Sequence, residues 1–276
     1  MPDSSPTPAT SCEVTVQRWR DGEIERVPDQ VAEEVPVALT FHGVPHVVML
    51  ATPANLEDLA VGFTLSEMIV DSPSEIQSVE AGTREDGALE VRISIAAAKF
   101  SELLRRQRNL TGRTGCGLCG AQTVEDAIRQ PAPVHGDLRV DAKSLHAALM
   151  DLRERQQINL RTGSVHAAAW VLPDSGIQLV REDVGRHNAL DKVIGAVTRA
   201  GGDFKSGYFV VTSRASYEMV QKAVTVGGTL LAAVSAPTAF AVRMAEAAGL
   251  TLIGFAREHQ HVVYAHPSRL ICTSTI

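Results

Sequence analysis

From Val165 onward, short unbroken apolar runs alternate with stretches of helical period. Tyr208–Thr212, Thr229–Val234 and Leu250–Phe255 are continuous enough to predict strands buried on both faces. Val165–Leu172 and Ile177–Arg181 read as a strand pair around Pro173-Asp174-Ser175-Gly176, and Val262–Ala265 as a closing strand. Helices are predicted over Ser144–Gln157, through Leu190, Val193, Ile194 and Val197, over Tyr217–Val226 and over Pro237–Ala248. This order predicts an α/β fold in three layers, helix–sheet–helix, with a largely parallel sheet, over residues 135–276.

The first half is patterned differently and predicts a smaller α+β domain over residues 13–110, after a flexible Pro/Ser/Thr-rich tail at 1–12. Glu13–Trp19 and Pro36–Phe41 are β-rich runs, broken by Gly22, Pro28 and Gly43. A helix should follow, capped by Thr52 with Pro53 in its first turn, and carrying Leu56, Leu59, Ala60 and Phe63 on one face. Residues 76–95 predict two strands around Asp86-Gly87, and Phe100–Arg108 a short basic helix. Residues 111–134 read as a loop, a short helix from about Ala121 and a linker marked by Pro131 and Pro133. No internal repeat is evident.

Length and composition narrow the function classes. The chain has 276 residues, 45% of them hydrophobic and 21% charged, enough to bury a core without staples. Its net charge is −6 and no basic arm is present, which disfavours a duplex nucleic-acid binder. Ala223–Val242 runs 20 residues without a charge, long enough to span a bilayer, but Gly227-Gly228, Ser235 and Pro237 divide it into helix end, strand and helix start. With no signal peptide and no membrane span expected, and four cysteines too few for a disulfide framework, the chain reads as a protein of a reducing compartment.

In sheets of this kind ligands bind beyond the carboxyl ends of the strands, where helices begin. The four junctions there are Glu182-Asp183-Val184-Gly185-Arg186-His187-Asn188, Ser213-Arg214-Ala215-Ser216, Ser235-Ala236-Pro237-Thr238 and Phe255-Ala256-Arg257-Glu258-His259-Gln260. Each supplies hydroxyls, an amide or a guanidinium, and helix N-termini add free N–H groups, so together they suit an anion bearing several phosphates. Taken singly, Ser213 and Ser235 are equally explained as helix caps, Asp183 as a structural bond and Arg214 as a surface charge. His187 and Asp191, four apart, share a helix face and read as an acid/base pair, half a metal site or a structural hydrogen bond.

The segment Thr111-Gly112-Arg113-Thr114-Gly115-Cys116-Gly117-Leu118-Cys119-Gly120 holds four glycines in ten residues, and no packed element favours that composition. Its CxxC pair admits a zinc site completed by His259 and His261, a thioredoxin-like dithiol, or a persulfide carrier. Arg113 and a following helix start would favour the thiolate that a carrier needs. A nucleobase deaminase is compatible with the order of elements but not with the chemistry: no histidine is followed two positions later by Glu, and the CxxC pair lies upstream of the sheet.

Thr114–Gly120, Val165-His166-Ala167-Ala168, Arg181–Lys192, Thr212-Ser213-Arg214, Ser235–Thr238, Phe255-Ala256-Arg257 and Tyr264-Ala265-His266-Pro267 resemble, in order, the FdhD family of formate dehydrogenase accessory sulfurtransferases. The similarity runs from about residue 13 to 270, and its most specific stretch is Asp183–Lys192. The resemblance implies a cytidine-deaminase-like fold without zinc chemistry. It implies that a cysteine desulfurase passes sulfur to the loop as a persulfide on Cys116, with Cys119 beside it. From there sulfur goes to the molybdenum or tungsten of a bis-molybdopterin guanine dinucleotide, destined for formate dehydrogenase, with GDP as a surrogate ligand. The family's cofactor-binding stretch maps onto Phe255–Gln260, where Gln260 stands in place of an expected second arginine or other large residue. Asp183, Arg186, His187, Asn188, Ser213, Arg214, Ser235 and Thr238 complete the expected contacts, with no metal site. A cytoplasmic homodimer is expected. A cofactor-binding chaperone without sulfur chemistry and a dithiol oxidoreductase are the alternatives.

Overall fold

The computed structural model describes residues 8–110 and 131–271. The CxxC loop, with Cys116 and Cys119, and the helix expected from Ala121 lie outside the described residues, as do residues 1–7 and Cys272. Strands β1 (Ser11–Arg20) and β2 (Glu23–Ala32) form an antiparallel ribbon. Pro28 does not break β2 as expected; a two-stranded ribbon leaves each strand one edge free of ladder bonds, where proline is tolerated. Next come β3 (Val35–Phe41), β4 (Val44–Ala51), helix α1 (Leu56–Ser66), β5 (Ile76–Thr83), β6 (Leu89–Ile95) and α2 (Ala97–Leu110). Their four strands pair in the order β4-β3-β6-β5.

The second half continues with β7 (Val140–Asp141), α3 (Ala142–Arg155), the single turn α4 (Asn159–Thr162), β8 (His166–Leu172), β9 (Gly176–Asp183) and α5 (Arg186–Arg199). There follow β10 (Tyr208–Val211), α6 (Tyr217–Thr225), β11 (Leu230–Ala233), α7 (Ala239–Ala248), β12 (Thr251–Arg257), β13 (Gln260–Ala265) and β14 (Leu270–Ile271), which pairs with β7. The charge-free stretch 223–242 is thus helix end, buried strand and helix start, and no helix among the described residues is long and apolar enough to cross a membrane.

Strand order in the six-stranded sheet is β13-β12-β11-β10-β8-β9. Only the β10–β11 and β11–β12 pairings are parallel; the β8–β10, β8–β9 and β12–β13 pairings are antiparallel. The expectation of a largely parallel sheet is corrected here. Tight connections at Pro173–Ser175 and Glu258-His259 can only reverse the chain into antiparallel neighbours.

Alternation along these strands fills two cores. Ala167, Ala169, Val171, Tyr208, Val210, Leu230, Ala232 and Ile253 pack with Leu145, Ala148, Leu149 and Leu152 of α3. Their neighbours Ala168, Trp170, Phe209, Val211, Leu231, Ala233 and Leu252 pack on the opposite face with α5, α6 and α7. That second core continues without interruption through α1 into Val37, Leu39, Phe41, Val91 and Ile93 of the four-stranded sheet. Helices α1 and α5 are therefore the layer shared by both sheets.

The two helices cross without side chains between them. A Cβ built on Gly62 would lie 1.7 Å from the Asp191 carbonyl oxygen, and one on Gly195 would lie 1.9 Å from that of Asp58. Buried ion pairs hold the crossing. Asp58 accepts from Arg181 Nε at 2.8 Å and from Arg199 at 2.6 Å, and is itself 3% exposed. Thr52 does not cap α1, contrary to expectation; Asn55 occupies that position in a left-handed conformation, φ 55°, without a side-chain bond. Thr52 is drawn instead into the polar cluster beneath the β9–α5 junction.

Gly195→Ala should force α1 and α5 apart and lower stability by at least about 2–3 kcal/mol, as overpacking does. Urea unfolding measures it; an unchanged midpoint would show that the crossing tolerates a methyl group.

Candidate functional site

The parallel run β10-β11-β12 puts three strand ends on one edge of the sheet. Antiparallel β8 brings its first residues to the same edge, with the Thr212 N–H donating to the Ala167 carbonyl at 3.0 Å, and β9 ends there with Asp183 opposite His166. All four polar junctions named from sequence therefore meet at one edge. Three of them are laced together by main-chain bonds: Thr238 N–H to the Ala215 carbonyl at 3.0 Å, and Phe255 N–H to that of Ser235 at 3.2 Å. Gly254 permits this closeness, since a Cβ there would meet Pro237 Cδ at 2.7 Å. Phe255 is held at φ +49°, a strained region for an aromatic residue, and a third of it or more stays exposed.

Beneath the edge lies a buried framework. Asp183 has no exposed surface; Oδ2 receives Lys192 Nζ at 2.6 Å and the Thr52 N–H at 3.1 Å. Its Oδ1 receives the Gly185 N–H at 2.8 Å and Asn188 Nδ2 at 3.0 Å. Asn188 Nδ2 also donates to the Leu50 carbonyl at 2.8 Å. Direct ligand contact by Asp183 is corrected accordingly: both its oxygens, together with the Asn188 amide nitrogen, are engaged inside, fixing the β9–α5 loop to the N-terminal half. Glu182, also buried, accepts the N–H groups of Ile158 at 2.9 Å and Asn159 at 2.8 Å. It thereby seats α4 against the sheet edge.

On the α3 side, the edge opens into a cavity of about 750 Å³. Ala256, Arg257 and Glu258 form one wall, and Arg153, Asn159 and Leu160 line it from α3 and α4. That size and its mixture of apolar lining and guanidinium groups suit a small-molecule ligand. Arg257 faces Gln260 across the β12–β13 hairpin, and both are exposed. His259 lies exposed near Glu258, 3.4 Å away. His261 Nδ1 is 3.0 Å from His146 Nε2, and burial pushes both imidazoles down toward neutrality.

On the opposite face, α5 and α6 begin side by side. Arg186 Nε, His187 Nε2 and Ser216 Oγ are buried atoms without a hydrogen-bond partner. His187 stands 3.9 Å from Glu218, and its pKa is pushed down to about 4 by burial, then by the nearby charges of Arg186 and Lys222. Asp191 turns away to Ser66 Oγ at 2.7 Å and Lys222 Nζ at 2.9 Å. Of the remaining expected contacts, Ser213 is buried and donates to the Arg214 carbonyl, Arg214 is exposed, Ser235 is half-buried, and Thr238 caps α7 by accepting the Ala241 N–H.

Sequence reasoning missed Arg153, and it placed Thr52 only as a helix cap. Arg153 carried a faint signal: it lies four residues after Leu149, at the border of the buried stripe of α3. Thr52 carried none, since it meets Asp183 across 131 residues of chain.

The depressed His187 fixes the sign of a pH effect. Its folded pKa, about 4, lies below the ordinary 6.5, so the unfolded chain takes up the proton first as pH falls. Its contribution to stability is complete above 6.5 and is lost as pH falls from 6.5 toward about 4. His187→Gln, which cannot protonate, should show a shallower loss of urea midpoint across that window; an identical slope would place the titration elsewhere.

The sequence model of the FdhD/NarQ family matches residues 32–271. A sulfur carrier protein FdhD of Cupriavidus necator is 54% identical over 263 residues, 95% of this chain and 91% of the relative. The protein of the same name from Xanthomonas euvesicatoria pv. vesicatoria is 53% identical over 256 residues, 93% of this chain and 91% of the relative. A crystal structure from Desulfotalea psychrophila, of a protein assigned provisionally as a formate dehydrogenase accessory protein, shares the fold with a TM-score of 0.75 at 19% identity, covering 95% of this chain and 100% of that one. A match over most of its length, with relatives above half identity, means that this chain belongs to the FdhD/NarQ family.

Proposed function

We propose that this protein is a sulfur carrier in the maturation of formate dehydrogenase, taking sulfur on Cys116 and holding the acceptor cofactor at the sheet edge. Relatives at 53–54% identity carry the name sulfur carrier protein. The observation that carries the reading is the convergence of four polar junctions on one edge, with Arg257 in a cavity of about 750 Å³. A bis-molybdopterin guanine dinucleotide is a large polyanion and is here the substrate. The unpartnered Nε of Arg186, Nε2 of His187 and Oγ of Ser216 on the other side of that edge fit such a ligand, because each can bond to it without giving up an internal partner. A net charge of −6 does not oppose this, since local field decides anion binding.

In the first step the Cys116 thiolate attacks the terminal sulfur of a cysteine desulfurase persulfide. One S–S bond forms, one breaks, and the donor cysteine leaves as a thiolate. Cys119 is placed by sequence to release the sulfur: its thiolate attacks Cys116, giving a disulfide and hydrosulfide, and a cellular dithiol then restores the pair. The order of elements α3–β8–β9–α5–β10–α6–β11–α7–β12 supports a cytidine-deaminase-like arrangement of the second half. A cytoplasmic homodimer is part of the same reading.

Cys116→Ala should abolish formate dehydrogenase maturation without unfolding the protein, and Cys119→Ala should be milder or comparable. After incubation with a desulfurase and cysteine, mass spectrometry should find about 32 Da, one sulfur atom, on Cys116. Maturation retained in Cys116→Ala would favour a cofactor chaperone without sulfur chemistry. An internal disulfide as the sole product, with no hydrosulfide released, would favour a dithiol oxidoreductase.

Arg257→Ala should weaken GDP binding about ten- to a hundredfold in calorimetry, the effect of losing a charged hydrogen bond, while persulfide still forms on Cys116. Unchanged affinity would mean the ligand edge is misplaced. Blocked loading would mean that receiving sulfur and holding cofactor are one site.

A further inference from the structure

Resting on the nucleotide-binding reading above, we propose that Arg153 is a second phosphate-binding residue, contacting the diphosphate of a purine nucleotide from a different element of the cavity lining than Arg257. The cavity of about 750 Å³ has one wall from the end of β12 and another from the last turn of α3 and the turn α4. Each wall carries a single arginine that lines the cavity, and both arginines are exposed. Among the described residues neither the Arg153 nor the Arg257 guanidinium has a hydrogen-bond or ion-pair partner. Their neighbours are not so disposed: Arg155, two residues on, is tied to Asp151 at 2.7 Å. A guanidinium left unpaired inside a concavity keeps its fork of donors for a ligand, and two such forks lining one cavity suit the several oxygens of a diphosphate.

The rest of the cavity suits the other end of such a molecule. Met150 and Leu160 are 50% and 62% exposed and line the same space, offering apolar surface to a flat base. Glu154 and Glu258 also line it, which makes the positions of the two cations decisive rather than the total charge. The wall that carries Arg153 is rigid. Leu149 and Leu152 anchor α3 in the core, and Glu182 holds the N–H groups of Ile158 and Asn159 immediately after it. Gln260, opposite Arg257 in the hairpin, offers no charge. Arg153 supplies the second cation from a different element.

GDP and guanosine titrated by calorimetry into the full-length protein separate phosphate contact from cavity shape. In Arg153→Ala the affinity for GDP should fall about ten- to a hundredfold while that for guanosine stays at the wild-type value. Arg153→Lys should recover part of the loss, and Arg155→Ala should change neither. Melting temperatures of all variants should match the wild type. Wild-type GDP affinity in Arg153→Ala, with loss in Arg257→Ala, would overturn this proposal and leave the nucleotide reading standing. Equal loss for GDP and guanosine would overturn it too, as a change of cavity shape. A wild-type protein that binds neither ligand would overturn the nucleotide reading and this proposal with it.

Discussion

Helices α1 and α5 cross so closely that each presents only a glycine to the other's backbone, Gly62 over Asp191 and Gly195 over Asp58. The sheet edge depends on that contact. Because α5 starts at the β9 junction and packs on the six-stranded sheet, while α1 packs on the four-stranded one, the crossing sets the position of the N-terminal half relative to the edge. The charges around it are bound by the same geometry. Asp58, buried at the crossing, pairs with Arg181 and with the half-exposed Arg199, and leaving a buried carboxylate without its partner typically costs about 3–5 kcal/mol. Lys192 reaches Asp183 and the Thr52 carbonyl in the same way.

Buried charge and exposed charge divide the labour at the site. The carboxylates of Asp183 and Glu182, Lys192 Nζ and Asn188 Nδ2 turn inward and act as a frame. Arg153, Arg214 and Arg257 face outward. A low-dielectric frame keeps its bonds in one arrangement, because each member left unpaired would bear a desolvation cost with no compensation. Fixed N–H groups and fixed loops then spare an incoming anion the entropy of ordering them. The most specific segment of the sequence, Asp183–Lys192, is mostly this frame rather than the contact surface.

The individual elements were legible because local patterning controls them. Buried strands such as Tyr208–Val211 and Leu230–Ala233 are short continuous apolar runs, and α3 shows its stripe of Leu145, Ala148, Leu149 and Leu152. Strand direction was less legible. An apolar run reads the same either way, so the reversed direction of β8 and β13 is not visible in the strands themselves. The start of α1 was misplaced for a related reason: Thr52 is a good capping residue locally, but Asp183 and Lys192 compete for its backbone from far along the chain.

By itself the sequence determined the alternation of strands and helices, the polar junctions after β9, β10, β11 and β12, the Gly-rich CxxC segment and the family signature. Those are properties of neighbours along the chain, and periodicity, turn chemistry and residue type express them directly. Tertiary structure alone decided which polar residues became frame and which became surface. It buried Asp183 by bringing Thr52 and Lys192 to it, and it set Arg153 of α3 and Arg257 of β12 in the lining of one cavity. Solvation and pairing depend on what long-range packing delivers to a side chain, and a residue's type and spacing do not carry that information.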